Sequence, residues 1–287
     1  MKFKEKLKSK KFLITVELIP PKGIDISTVL EKIKYLSKSN IDAINVTDNQ
    51  RASLRASSIS ISKIILEHGL EPILQIVSRD RNRIAIQSDL LGANILGIEN
   101  ILLLSGDYTS TSEYSNAKAV YDLDTIQLIK TVKLLESGVD LAGKKLKGCP
   151  NFCIGAVVNP TAKPNDLQIL MLKKKIKTGV NFFQTQAIFD ITAYKIFFNK
   201  IKHLKIKIIP GIILIKSLKF MNFIQSLPGM NIPENIINRI SYSPNPLLES
   251  IKICSETIRE LRTFADGVHI MAIGTEKYIP EILENSV

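Results

Sequence analysis

Two carboxylates in this sequence stand where hydrocarbon should continue. Glu17 lies inside "TVELIPP", with apolar residues on both sides, and Asp107 ends the run "ILLLSGD". A carboxylate in such surroundings must find partners or keep its proton. A carboxyl that keeps its proton is what a general acid needs. A fixed negative charge does something else: it stabilises a cation that develops beside it. The bland alternatives are a glutamate paired with a lysine and an aspartate that caps a turn after Gly106. Gly106 also permits close backbone approach, so "SGD" could wrap the edge of a planar ligand.

Other apolar runs end on neutral hydrogen-bonding groups. They are Thr47 with Asp48 and Asn49, then Gln75, Asn159 and Gln186. Amides suit a polar heterocycle better than a metal ion. His68 and His203 fall at helix ends and are expected on the surface. His269 lies in an apolar run and belongs either to the core or to a site. No metal-ligand set, no nucleophile with its base and no phosphate loop accompanies these residues, so no metal is expected. Spaced carboxylates and amides point to proton transfer and cation stabilisation around a bound organic cofactor.

These side chains need a scaffold that brings strand ends together. Eight apolar, β-rich runs cover residues 12–20, 43–48, 71–78, 100–107, 152–160, 181–189, 206–214 and 267–274. A segment with apolar residues at helical spacing follows each of them. Pro210–Gly211 reads as a turn at the end of the seventh run. The extra helices "PENIINRI" and "PLLESIKICSETIRELRTFAD" precede the last strand. Continuous apolar strands alternating with amphipathic helices imply a parallel sheet covered outside. Eight such units predict an α/β fold of the (β/α)8 TIM barrel type, whose active sites sit at the C-terminal ends of the strands. An open doubly wound sheet is the alternative, but no G-x-G-x-x-G follows any strand. No linker is visible, so residues 1–287 are expected to form one catalytic domain.

The formal net charge is +12. Lysines are spread along helices, as in "KTVKLLESG" and "KKKIKTG", and read as solvated faces. There is no zinc-finger spacing and no RNA-recognition signature, so no nucleic-acid partner is expected. A basic surface can instead draw in an anionic small molecule. Cys149, Cys153 and Cys254 make an odd count, which argues for a reducing compartment. "CPNFC" has no second cysteine pair, and Cys153 reads as a small core residue. "IKIIPGIILI" is too short to span a bilayer. A cytoplasmic protein with no membrane partner is expected.

The motifs "VELIPP", "INVTDN", "ILQIVSRDRN", "LLLSGD", "VYDLD", "LKKKIKTGVNFFQTQAIFD" and "IIPGI" stand in an order that resembles the methylenetetrahydrofolate reductase family. The likeness runs from about Phe12 to Glu281. "SRDRN" and "VYDLD" look most like the branch in which this barrel is also fused to a homocysteine methyltransferase, a domain not seen here. The resemblance implies a (β/α)8 barrel with a flavin, FAD or FMN. It implies reduction of 5,10-methylenetetrahydrofolate to 5-methyltetrahydrofolate with NADH or NADPH as donor, in one-carbon metabolism and methionine biosynthesis. On this resemblance Glu17 falls on the general acid. Asp107 falls on the aspartate that tunes the flavin and supports the cationic iminium intermediate. Thr47, Leu104, Ser105, Gly106, Tyr121 and Lys175 fall on flavin-contacting positions. Gln75 and Asn159 stand where many members have histidines. Gln186 and Phe189 fall beside the folate, and Lys277 stands close to the place of a folate-binding arginine. A homo-oligomer or a redox partner subunit is compatible with the family. The alternatives are a flavin-bearing electron-transfer subunit, a reductase of a methanopterin-type carrier, and a flavin-free barrel lyase or transferase.

Overall fold

The computed structural model describes residues 1–287 apart from Lys10, Pro228 and the side chain of Thr111. Eight parallel strands close into a barrel in chain order. They are β1 (Leu13–Leu18), β2 (Ala43–Val46), β3 (Pro72–Val77), β4 (Asn100–Leu104), β5 (Cys153–Val158), β6 (Phe182–Ala187), β7 (Lys207–Ile213) and β8 (Gly267–Met271). β8 pairs with β1, which closes the ring and leaves no sheet edge. The expected fold class is the one found.

The helices carry the stop and start signals that the sequence supplies. The first is α1 (Phe3–Ser9) and the next α2 (Ser27–Leu36), α3 (Ser58–Glu67) and α4 (Arg83–Ile95). Asn82 caps α4 by accepting from the N–H groups of Ile84 and Ala85. Helix α5 (Thr125–Glu136) begins with a reciprocal capping box between Asp124 and Gln127. Helix α6 (Asn165–Thr178) ends on Gly179 at φ +116°. Helix α7 (Ile191–Ile201) precedes β7. Three helices separate β7 from β8: α8 (Leu218–Gln225), α9 (Glu234–Tyr242) and α10 (Pro246–Leu261). Helix α11 (Ile279–Glu284) follows β8. The extra helices therefore stand where the sequence put them.

Strand alternation divides each strand between two environments. One set, including Val16, Ile44, Ile212 and Ile270, packs under the helices. The other set points into the barrel. Its lower layer is Leu13, Ala43, Ile73, Leu102, Cys153, Phe182 and Ile209. Helix α1 plugs this lower end, a role its basic sequence did not reveal. Phe3 is fully buried and its ring meets Phe182 edge-on at 5.3 Å. Lys6 pairs with Asp42 at 3.4 Å.

Two expectations are corrected. Several apolar runs were read as longer strands than the barrel contains. β4 stops at Leu104, so Ser105, Gly106 and Asp107 belong to a loop. Pro210–Gly211 is not a turn; both residues lie inside β7. Pro210 lacks a ladder donor, and β6 bulges opposite it: Gln184 pairs with Ile209 and Ala187 with Gly211. The Gly211 N–H donates to Thr185 Oγ1 at 3.0 Å. A Cβ at Gly211 would stand 2.6 Å from the Thr185 carbonyl, so the close approach requires glycine.

Candidate active site

The upper half of the barrel interior is polar. Thr15, Asn45, Gln184 and His269 occupy one level and are all buried. Asn45 Nδ2 donates to Gln184 Oε1 at 2.6 Å, and Gln184 Nε2 donates to Asn45 Oδ1 at 3.1 Å. Gln184 Nε2 also reaches Thr15 Oγ1 at 3.1 Å, and Thr15 Oγ1 lies 3.0 Å from His269 Nδ1. The sequence reading missed Thr15, Asn45 and Gln184. Their signal was present: each is a polar residue at a period-2 position, two residues before Glu17, Thr47 and Gln186 respectively.

Glu17 stands one level higher and is 6% exposed. Its Oε1 accepts from Gln50 Nε2 at 3.2 Å, and its Oε2 lies 3.9 Å from His269 Nε2. Among the described residues no lysine pairs with Glu17. Thr47 is buried, and among the described residues its hydroxyl has no hydrogen-bond partner. Such an orphan is costly unless something else fills it. Gln75 is buried in β3. Gln186 is exposed, because the β6 bulge turns it out at the strand end.

The loops around this mouth are bound together from below. Arg79 is 1% exposed and clasps Asp80 through two bonds, of 2.7 and 2.6 Å. Burial opposes ionisation of Asp80, but the Arg79 guanidinium outweighs it and holds the carboxyl below its usual range. Arg79 also donates to the carbonyls of Asn49 and Asp107. It therefore ties the loops after β2, β3 and β4. Gly106, at φ +90°, presses against its side chain; an added Cβ would meet Arg79 at 3.1 Å. Asp48 accepts from the Val77 N–H at 3.0 Å and from Arg81 at 2.6 Å, so it is structural rather than free for chemistry.

Asp107 is exposed. Its Oδ2 accepts from the Arg51 N–H at 2.9 Å, and its carbonyl accepts from the Tyr121 hydroxyl at 3.0 Å. The Arg51 guanidinium lies over the Phe223 ring at 4.6 Å, which links the β2 loop to α8. Leu104 is half-buried and Ser105 is exposed beside it. Asn159 spends its side-chain oxygen on its own loop, accepting from Thr161 and Ala162. Phe189 packs with the apolar cluster of Ile213, Ile215 and Ile240. Lys277 sits in the 3₁₀ turn Glu276–Tyr278, with its amine over the Tyr278 ring. Lys32 of α2 anchors that turn through Glu276. Among the described residues no contact joins Lys277 to Glu17, Asp107 or Gln186.

Lys175 reaches in from α6 and donates to the Val157 carbonyl at 2.8 Å. Burial pushes its amine down to about 8. A half-buried cation that, among the described residues, meets only a carbonyl fits an anionic ligand. The orphaned Thr47 hydroxyl fits a polar ligand edge. The strand ends thus offer places for a polar, anionic cofactor. Among the described residues no group of three or more His, Cys, Asp or Glu could hold a metal ion, and no helix is long and apolar enough to cross a membrane.

A closed parallel barrel that gathers a buried carboxylate and amides at its strand ends has the architecture of an enzyme acting on small molecules. The family model of methylenetetrahydrofolate reductase matches residues 2–287, and the chain belongs to that family. It is 24% identical to a probable methylenetetrahydrofolate reductase (NADPH) of Caenorhabditis elegans, over 96% of this chain and 42% of that protein. It is 25% identical to the 5,10-methylenetetrahydrofolate reductase of Escherichia coli, over 77% of this chain and 70% of that protein. The chain therefore spans under half the length of the nematode relative. A Clostridium thermocellum protein described as binding two copies of 5-methyl-5,6,7,8-tetrahydrofolic acid shares the fold, with a TM-score of 0.69 and 17% identity over 99% of this chain and 98% of that one. Tryptophan synthase of M. tuberculosis shares the barrel alone, with a TM-score of 0.57 and 10% identity over 99% of this chain and 96% of that one.

Proposed function

We propose that this chain reduces 5,10-methylenetetrahydrofolate to 5-methyltetrahydrofolate with a bound flavin. The observation that carries this is Glu17, a carboxyl buried inside the barrel mouth that accepts from the Gln50 amide and, among the described residues, pairs with no lysine. Membership of the family supports the reaction, and the folate ligand named for the Clostridium protein supports the substrate. NADPH in the name of the nematode relative supports a nicotinamide donor, NADH or NADPH.

When bound, the flavin, FAD or FMN, supplies the hydride that completes the methyl group. Thr47, Gly106, Tyr121 and Lys175 are the residues suited to hold it, with Gln75, Leu104, Ser105 and Asn159 beside them. Glu17 protonates N10 of the folate: the Glu17 O–H bond breaks, the N10–H bond forms, and the C–N10 bond opens to the 5-iminium cation. Asp107 supplies negative charge where that cation develops, and its carboxylate is held in place by the Arg51 N–H. Gln186 and Phe189 are suited to orient the pterin. Lys277, exposed in the turn after β8, is a further candidate for the folate.

The test is direct. The purified chain should carry or take up one flavin, identified as FAD or FMN by mass spectrometry after release. With NADH or NADPH it should convert methylenetetrahydrofolate to the methyl form. A protein that binds neither flavin overturns the proposal. A flavoprotein reduced only by artificial dyes would instead be an electron-transfer subunit. Replacing the folate with a methanopterin-type carrier in the same assay decides the pterin.

Lys175 adds a pH signature. Its amine loses its charge above about 8. A bound phosphate favours the charged form, so binding takes up a proton above that pH. FMN affinity should therefore fall as pH rises past 8, approaching about tenfold per unit. Riboflavin, which has no phosphate, should show no such fall. Fluorescence titrations with both ligands between pH 7 and 9 make the comparison, and equal slopes would remove Lys175 from the anion site.

A further inference from the structure

Both carboxylates of the proposed reaction are held by one short segment. The turn after β2, residues 49–52, sends two consecutive residues to them. Gln50 Nε2 donates to Glu17 Oε1 at 3.2 Å, and the main-chain N–H of Arg51 donates to Asp107 Oδ2 at 2.9 Å. The backbone that does this is strained. Asn49, Arg51 and Ala52 have φ of +43°, +59° and +53°, the left-handed region that favours glycine, and none of the four residues is glycine. Such backbone persists only where its surroundings over-determine it. Here they do. Arg79 donates to the Asn49 carbonyl at 3.0 Å, and Asn49 Nδ2 donates to Asp80 Oδ2 at 3.3 Å. The buried Arg79–Asp80 pair therefore grips Asn49 by main chain and side chain together. Asn49 Oδ1 also accepts from the Arg55 N–H at 3.0 Å. Ala52 is buried, and the Arg51 guanidinium rests over the Phe223 ring at 4.6 Å. With its side chain committed to α8, Arg51 offers Asp107 its main-chain N–H alone.

We infer that residues 49–52 form a positioning turn that couples Glu17 to Asp107, with Gln50 holding the first and the Arg51 main chain the second. A main-chain donor has no rotamer to change, so the direction of the Arg51 N–H is set by the backbone angles of the turn. Relaxing Arg51 to negative φ would swing that N–H away from Asp107 and carry Gln50 with it. The separation between the proton donor and the negative charge is thus a property of one turn, clamped from below by Arg79 and Asp80. Glutamine suits the Glu17 end. It offers Nε2 to the carboxylate and, turned over, Oε1 to the protonated acid, so Glu17 stays held before and after it gives up its proton. The catalytic part of this inference rests on the reductase proposal; the coupling does not.

Amide hydrogen exchange in the full-length chain, read residue by residue by NMR, tests the coupling without catalysis. The Arg51 amide should exchange more slowly than an open loop amide, by about tenfold or more. Asp107→Ala removes its acceptor and should release it. Gln50→Leu leaves that acceptor in place, yet should also speed Arg51 exchange, because the turn has lost its other hold. An Arg51 amide that is unprotected in the unaltered protein, or untouched by Gln50→Leu, overturns the inference. Ala52→Gly takes a side chain off a left-handed position, so the protein should be no less stable to urea while Arg51 exchanges faster. A less stable Ala52→Gly protein with unchanged exchange would mean that the turn holds no strain, which also overturns it. In single-turnover reduction of methylenetetrahydrofolate, Gln50→Leu should be slower by on the order of tenfold, the scale of one hydrogen bond to a charged group. In an Asp107→Ala background the same substitution should cost much less, because the turn is already free. Losses that simply multiply would make the two contacts independent and end the coupling. If the unaltered chain reduces no folate, the reductase proposal fails, and the exchange measurements still decide whether the turn links the two carboxylates.

Discussion

Glu17→Gln should lower the rate of methylenetetrahydrofolate reduction by about 10²-fold or more, the usual scale for loss of a general acid. Glutamine keeps the size of the side chain and can still meet Gln50 and His269, the two groups at the glutamate. It has no carboxyl proton to give. N10 must then leave as an anion, and the barrier to opening the five-membered ring rises. Reduction of the bound flavin by the nicotinamide donor needs no proton from Glu17 and should proceed at close to its original rate. Stopped-flow measurement of the two half-reactions separates the effects. Equal loss in both halves would mean a damaged fold, and no loss in the folate half would make Glu17 a structural carboxylate.

Gly211→Ala should destabilise the protein by about 1–3 kcal/mol, the range for overpacking a close-packed core. The added Cβ would stand 2.6 Å from the Thr185 carbonyl and 2.9 Å from that of Gln186. Both obstacles are backbone atoms of a barrel strand, which cannot swing aside as a flexible side chain can. β6 must move at its bulge, and the bulge is what turns Gln186 out at the mouth. A lower denaturation midpoint in urea with an unchanged slope would report the strain. Substrate KM should rise more than kcat falls, because the affected side chain binds and does not donate the proton. Glycine at position 143, where an added Cβ meets nothing within 4 Å but φ is +78°, supplies the control: Gly143→Ala tests backbone strain without crowding. A Gly211→Ala protein as stable as the unaltered one would show that the bulge can relax.

The sequence by itself determined the strands, the helices between them and the identity of the groups at the strand ends. Eight apolar runs separated by periodic segments admit few closed arrangements, and short right-handed connections leave the barrel in chain order. Period-2 alternation then places Glu17 and Thr47 on inward positions without any knowledge of their neighbours, whereas the β6 irregularity leaves Gln186 exposed. Family motifs such as "LLLSGD" were legible for the same reason, since each is a local string. What the string could not show is how residues far apart in it meet. Asn45 and Gln184 are 139 residues apart, and only barrel closure brings their amides together. His269 could have been core or site, and pairing of β8 with β1 decided it by setting the ring beside Thr15. Arg79 read as part of a charged motif, yet it is buried beneath the mouth and ties three loops. Lys277 read as a substrate group, and in the structure it is exposed in the turn after β8 with its amine over the Tyr278 ring. Helix α1 carries lysines throughout and still supplies Phe3 to the barrel floor. In each case the deciding quantity is burial or pairing across the closed sheet, which depends on register and shear around the whole ring. Local composition contains neither.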